Sequence, residues 1–260
     1  MWLNPPYSVC IEAGRYCNFR CAVCISDSSP EHRNTGDWVT AAIQDINAAF
    51  GPIRAVWSGG EPVLIPRIAD YVKMSRSLGN ANVLVTNASK FIDGLAVDWV
   101  DISIYGDNSA AFRAYTLSST FLTFKKNLHR YSSAYPRVSA SFILGIHGSP
   151  ALRRMADLVL DAGITRLKFH RLSLAGRNTI AAPTSDVDAE IADMTSYLAG
   201  RPVSASYTRT KSSDQKRKGY WVVKEPGLFT NSDVAVPLSN SEVVIGAVES
   251  YRALNQSLFK

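Results

Sequence analysis

The sequence predicts an α/β protein: a parallel sheet coiled into a closed or partly closed barrel, with helices on its outer face. Two observations carry this. Short apolar runs alternate with amphipathic stretches six times over the first two hundred residues. The amphipathic stretches keep helical spacing and end at Gly or before Pro, as crossover helices between parallel strands do. Crossovers of a single hand make such a sheet coil, and chemistry then gathers at the C-terminal ends of its strands.

The elements follow in order. YSVCIEA (7–13) reads as the first strand, and 37–50 as a helix capped by Thr35 or Asp37. IRAVWS (53–58) is the second strand, followed by a helix over 65–78 stopped by Gly79. NVLVTN (82–87) is the third strand, with a short helix expected in KFIDGLA (90–96). WVDISIYG (99–106) is the fourth, followed by one long helical region over 110–133 that ends before Pro136. RVSASFILGI (137–146) is the fifth strand and 150–163 its helix; TRLKFHRL (165–172) is the sixth, with a helix over 185–200. Beyond residue 200 the pattern changes. PVSASYTRT and GYWVVK read as strands flanking a basic loop (211–219), and 239–259 as a final helix. The expected organisation is a barrel over 1–200 and a short α+β extension over 201–260 packed on it.

Composition narrows the class. The chain has 260 residues and a net charge of +6, with 46% hydrophobic and 19% charged residues, enough to bury a core without staples. It shows no apolar stretch of transmembrane length and no secretory leader, so a cytoplasmic protein with no membrane partner is expected. The basic loop reads as a solvated surface. Basic and aromatic residues do not interleave as in a base-stacking platform, so nucleic acid is not an expected partner.

Three of the four cysteines, Cys17, Cys21 and Cys24, fall in CNFRCAVC, directly after the first strand. Three thiols so packed cannot form a sensible disulfide framework. Structural zinc asks for four ligands, and no fourth follows at suitable spacing. Three soft ligands suit a cubane iron–sulfur cluster with one iron left for another ligand.

With that motif the chain resembles the radical S-adenosylmethionine (radical SAM) enzymes, whose signature is CxxxCxxC after the first strand of a partial (β/α)6 barrel. The resemblance covers residues 7–177 and rests on further segments in order: SGGEP (58–62), LVTNAS (84–89), ISIYG (102–106), FILGIHG (142–148) and RLSLAGR (171–177). It is similar to the molybdenum-cofactor synthase and anaerobic sulfatase-maturase group. It implies that Cys17, Cys21 and Cys24 bind a [4Fe-4S] cluster and that SAM chelates the fourth iron. The cluster would donate the electron that cleaves SAM to a 5′-deoxyadenosyl radical, itself able to take hydrogen from a substrate carbon. By the same resemblance Ser58, Gly59, Gly60 and Glu61 would hold the methionyl amine. Asn87 and Ser103 would lie along the cofactor, Ile143 beside adenine, and Arg171 or Arg177 would pair with the carboxylate. Val23 departs from the pattern, which often has an aromatic residue there.

Glu12 and Tyr105 are the catalytic candidates, with Cys10, His147 and His170 as further residues near the pocket. The substrate is expected to be a modest-sized polar molecule of a biosynthetic pathway, or a peptide, and a flavodoxin or ferredoxin the electron donor. Alternatives are a peptide-modifying enzyme or glycyl-radical activase, a 7-carboxy-7-deazaguanine synthase, or a non-catalytic iron–sulfur protein. No cysteine follows Cys24, so this chain cannot itself ligate an auxiliary cluster through cysteine.

Overall fold

The computed structural model describes residues 8–33, 38–172, 176–179, 183–207, 220–224, 227–229 and 235–237. Its strands are β1 (Ser8–Glu12), β2 (Val23–Cys24), β3 (Arg54–Ser58), β4 (Ala81–Thr86), β5 (Trp99–Ser103), β6 (Val138–Leu144), β7 (Arg166–Arg171), β8 (Arg177–Asn178), β9 (Ser204–Tyr207), β10 (Tyr220–Lys224), β11 (Gly227–Phe229) and β12 (Ala235–Pro237). Its helices are α1 (Trp38–Phe50), α2 (Ile68–Ser77), α3 (Ser109–Thr116), α4 (Phe121–Ala134), α5 (Ser149–Asp161) and α6 (Val187–Leu198).

Ten strands form one sheet in the order β12-β11-β10-β1-β3-β4-β5-β6-β7-β9. The pairings from β10 through β9 are all parallel, and β11 and β12 add an antiparallel edge. The sheet is open between β9 and β12 among the described residues, as a partial barrel requires. The six strands expected over 7–172 all form, each within three residues of the expected ends. PVSASYTRT and GYWVVK also supply strands, one at β9 and one beside β1 as β10.

β3, β5 and β6 turn alternate residues outward under the helices. Ala55 and Trp57 of β3, Val100 and Ile102 of β5, and Phe142 and Leu144 of β6 are fully buried there. The large apolar side chains therefore belong to the sheet–helix interface, and the opposite face of these strands looks into the lumen.

Two expectations fail. The short helix in KFIDGLA does not form. Its backbone bonds are taken over by tyrosines of α4: the Tyr131 hydroxyl donates to the Lys90 carbonyl at 2.9 Å and the Tyr135 hydroxyl to that of Ile92 at 2.8 Å. The Leu95 N–H donates back to the Tyr135 hydroxyl. Side chains thus satisfy groups that a helix would otherwise have paired. The single helix over 110–133 is two, α3 and α4, divided where Leu117 takes a left-handed conformation at φ 55° and caps α3. The cap at Thr35 or Asp37, the basic loop and the helix over 239–259 lie outside the described residues.

Candidate active site

The three thiols sit on the loop between β1 and β2, at the C-terminal end of the parallel strands. That loop is held from several sides. At its start, the Gly60 N–H donates to the Gly14 carbonyl at 2.8 Å and the Glu61 N–H to that of Tyr16 at 2.9 Å. In the middle, the N–H groups of Arg20 and Ala22 donate to the carbonyls of Thr116 and Tyr115, where α3 ends. At its end, β2 pairs antiparallel with β8, setting Cys24 opposite Arg177. The loop also closes on itself: the Arg15 guanidinium donates to the carbonyls of Ser26 and Asp27, and the Cys17 N–H to that of Ser29.

Glycine is required where these contacts are closest. A Cβ on Gly60 would lie 2.1 Å from the Tyr16 carbonyl oxygen, and one on Gly59 2.7 Å from that of Gly14. A Cβ on Gly176 would meet the carbonyl oxygens of Cys24 and Ile25 at 2.3 Å. These glycines face the cysteine loop.

Glu61 is buried, and its carboxylate ties two motifs together. Oε1 accepts from the Thr86 hydroxyl at 2.6 Å and Oε2 from the Asn87 N–H at 2.7 Å. Burial lifts its pKa to about 7 despite those bonds. Asn87 in turn donates through Nδ2 to Cys17 Sγ at 3.6 Å and to Asn18 Oδ1 at 3.2 Å. So SGGEP reaches the first thiol through TNAS.

Burial pushes the Cys17 thiol up to about 12 and Cys21 further; Cys24 adds to the rise of both, and Cys17 to that of Cys21. Arg177 works the other way on Cys21. Its Nε donates to the Cys21 carbonyl at 3.1 Å, Nη2 to that of Ser28 at 2.5 Å, and Nη1 pairs with Asp27 at 3.3 Å.

Several comparisons with known proteins bear on this arrangement. No protein-family profile matches the chain. A Fe-coproporphyrin III synthase of Methanosarcina barkeri is 23% identical over 175 residues, 64% of this chain and 44% of that protein. An S-adenosylmethionine-dependent nucleotide dehydratase of Lacinutrix mariniflava is 31% identical over 101 residues, 34% of this chain and 21% of that protein. The chain spans less than half the length of these relatives. Among solved structures, Streptococcus suis SuiB bound to S-adenosylmethionine superposes with a TM-score of 0.71 at 12% identity, covering 88% of this chain and 60% of that one. Native anSMEcpe with bound AdoMet gives 0.66 at 13%, covering 92% and 81%.

These relatives and neighbours all point to the radical SAM superfamily.

The residues that this likeness singles out suit a cubane cluster by the chemistry of their donors. Backbone and amide N–H groups already point at two of the sulfurs: Phe19 N–H at Cys17 (3.4 Å), Ser28 N–H at Cys24 (3.2 Å) and Asn87 Nδ2 at Cys17. Hydrogen bonds of this kind tune thiolate-ligated iron. No three His, Cys, Asp or Glu side chains among the described residues converge as ligands of one ion. A cubane asks for a wider set, because each thiolate binds a different iron.

The remaining candidates divide. Ser103 ends β5 and Tyr105 lies two residues beyond it, with the Ser103 side chain beside the phenol. Burial, then the nearby Cys21, holds the Tyr105 phenol well above its ordinary pKa. Glu12 and Ser58 are register partners at the ends of β1 and β3, and Glu12 Oε1 accepts from the Ser26 hydroxyl of the cysteine loop at 3.1 Å. Ile143 pairs with His170 across β6 and β7. Arg171 is ion-paired with Asp188, and Arg177 is occupied with the loop, so both guanidinium groups meet protein partners here.

Sequence reasoning missed Tyr115. Its ring stacks on Tyr105 with centroids 5.1 Å apart, and its hydroxyl donates to the Val23 carbonyl at 3.3 Å. Burial and the nearby Cys21 and Cys24 raise its pKa. It also missed Asp101, Ser139, Ser141 and Lys168 on the lumen face. The signal was present in D-I-S (101–103), S-A-S (139–141) and K-F-H (168–170), polar residues at every second position of three strands.

Proposed function

We propose that this chain is a radical SAM enzyme with one [4Fe-4S] cluster on Cys17, Cys21 and Cys24. It abstracts hydrogen from a modest-sized polar substrate in a biosynthetic pathway. The observation that carries the reading is the position of the three thiols: one restrained loop, at the strand ends, over a polar lumen. When bound, the cluster supplies the electron for reductive cleavage of SAM and leaves the protein to orient, exclude and quench.

This chain's own groups would act as follows. Asn87 and the N–H groups of Phe19 and Ser28 steady the sulfurs. Arg177 offsets negative charge at Cys21. The lumen wall from Ser103 to His170 offers hydroxyl and imidazole groups to a polar substrate. Tyr105, kept protonated by burial, retains an O–H hydrogen that a carbon radical can take. The tyrosyl radical so left would be restored by one electron and one proton, with a flavodoxin or ferredoxin as the electron source.

The test is anaerobic. Reconstituted protein with dithionite and SAM is expected to release 5′-deoxyadenosine and methionine, and Cys21→Ala to release neither. Iron-loaded protein that binds SAM but yields no 5′-deoxyadenosine over hours would refute the proposal.

A further inference from the structure

The interior of a packed β/α barrel is filled by bulky branched side chains. Here β5 to β7 line it differently. Asp101 stands opposite Ser139, Ser103 opposite Ser141, and Ser141 opposite Lys168. These groups are bonded into one tier. Asp101 Oδ1 accepts from the hydroxyls of Ser139 (2.9 Å) and Ser141 (2.8 Å), and Oδ2 from Lys168 Nζ (2.9 Å). His170 Nε2 lies 3.4 Å from the Ser141 hydroxyl. Lys168 and Asp101 keep side-chain exposures of 23% and 13%, so solvent reaches the pair.

Below the tier, at the start of β5, cations gather on one indole ring. Lys168 Nζ lies 4.8 Å from the centroid of Trp99, the Arg166 guanidinium 5.5 Å and the Arg54 guanidinium 5.9 Å. These three come from β3 and β7, on either side of β5. Stacking on an indole is favourable for each cation singly, but three like charges around one ring repel one another. Asp101 is the one carboxylate bonded to the group among the described residues, and it engages Lys168. Three cations against one carboxylate leave an excess of positive charge at the N-terminal end of the strands, where Arg54 and Arg166 are exposed.

We propose that Arg54, Arg166 and Lys168, ringed around Trp99, bind an anionic group of the substrate, a phosphate or a carboxylate. This rests on the functional reading above and names the substrate's class. Trp99 precedes Ser103 by four residues, a rise of about 13 Å along the strand. The substrate would therefore carry its anion at one end and its reacting carbon about that far away, near Ser103 and Tyr105. Guanidinium groups suit either oxyanion by paired N–H donation, and Lys168 adds a point charge.

Calorimetric binding tests this on cluster-loaded protein, with SAM present, at matched ionic strength. The probes are tripolyphosphate, citrate and potassium chloride. Wild type is expected to bind tripolyphosphate, citrate or both, and chloride not measurably. Arg166→Gln and Lys168→Met should each weaken the bound anion about tenfold or more, the scale of a lost charge-assisted bond. Asp101→Asn, which removes the opposing charge, should tighten it. A preference for tripolyphosphate assigns a phosphate, and a preference for citrate a carboxylate. If neither probe binds beyond chloride, or if Arg166→Gln and Lys168→Met bind like wild type, the proposal is overturned. Should Lys168→Met fail to fold, exposed Arg166→Gln still decides. The readout does not involve SAM cleavage. Anion binding without 5′-deoxyadenosine release would sink the enzymatic reading and leave this site standing; the reverse would sink this site alone.

Discussion

Replacing Gly60 by Ala is predicted to empty the cysteine loop of iron. The added Cβ would lie 2.1 Å from the Tyr16 carbonyl oxygen and 2.7 Å from its carbon. Carbon–oxygen contacts settle at about 3.3 Å or more, so the segment must retreat by roughly 1 Å. Tyr16 is bonded to the next residue of the turn and precedes Cys17, so the retreat is passed straight to the first thiol. The bonds from Gly60 N–H to Gly14 and from Glu61 N–H to Tyr16 stretch together. Two such bonds, with the accompanying strain, put the cost at about 3 kcal/mol. The assay is iron and sulfide per chain after anaerobic reconstitution, where wild type is expected to hold about four of each. Gly60→Ala should hold less than half, and 5′-deoxyadenosine release should fall with the iron. Gly94→Ala is the control: unlike Gly60 it has a positive φ (65°), but no heavy atom lies within 4 Å of its added Cβ. It should lose about 1 kcal/mol of stability and no iron. If Gly60→Ala keeps its full iron and only binds SAM more weakly, the glycine faces the ligand and the reasoning is wrong.

Three further outcomes are expected. Cys17→Ala, Cys21→Ala and Cys24→Ala should each abolish the cluster, while Cys10→Ala leaves iron content and turnover within a few-fold; loss of iron in Cys10→Ala would contradict the assignment. Glu61 has a folded pKa of about 7 against an ordinary 4.5, so it stabilises the fold as the acid and loses that contribution as pH rises through 7. The loss is about 3 kcal/mol. Glu61→Gln should remove the slope, and urea unfolding of both proteins at pH 5 and pH 8 measures the difference; equal slopes would show that burial does not govern this group. Tyr105→Phe should still cleave SAM but stall or divert the substrate radical; unchanged product at an unchanged rate would remove Tyr105 from the reaction.

The strands and most helices could be read from periodicity because each has one face buried under a neighbour. Trp57, Val100, Ile102 and Phe142 are set by that demand alone. KFIDGLA misled because its apolar residues satisfy the same pattern in a loop, and its backbone partners, Tyr131 and Tyr135, lie some forty residues on. Leu117 carries no local mark of the left-handed turn that splits α3 from α4. The cysteines announced themselves by spacing. Tyr115 did not, since only the packing of α3 against the loop brings it to Cys21 and Cys24.

The order of motifs was readable, but the partners of those motifs were not, and the difference matters for how the site is built. Gly59 and Gly60 suit close backbone approach, and sequence alone gives no way to choose between a ligand and another strand of protein. In the fold the approach is to Glu12 and to residues 14–16. Glu61 likewise turns inward to Thr86 and Asn87, and Arg177 to Cys21, Ser28 and Asp27. These motifs therefore act first on the cysteine loop. The loop has one two-residue strand of its own and is held instead by carbonyls and N–H groups from β3, α3 and β8. Ordering a loop costs about 1–2 kcal/mol per residue of backbone freedom. Here that cost is met by neighbours that are themselves fixed in the sheet or at a helix end. The loop is thus held in place even though burial and neighbouring sulfurs oppose ionisation of Cys17 and Cys21. The proposed cluster would relieve both effects by binding the sulfurs as thiolates.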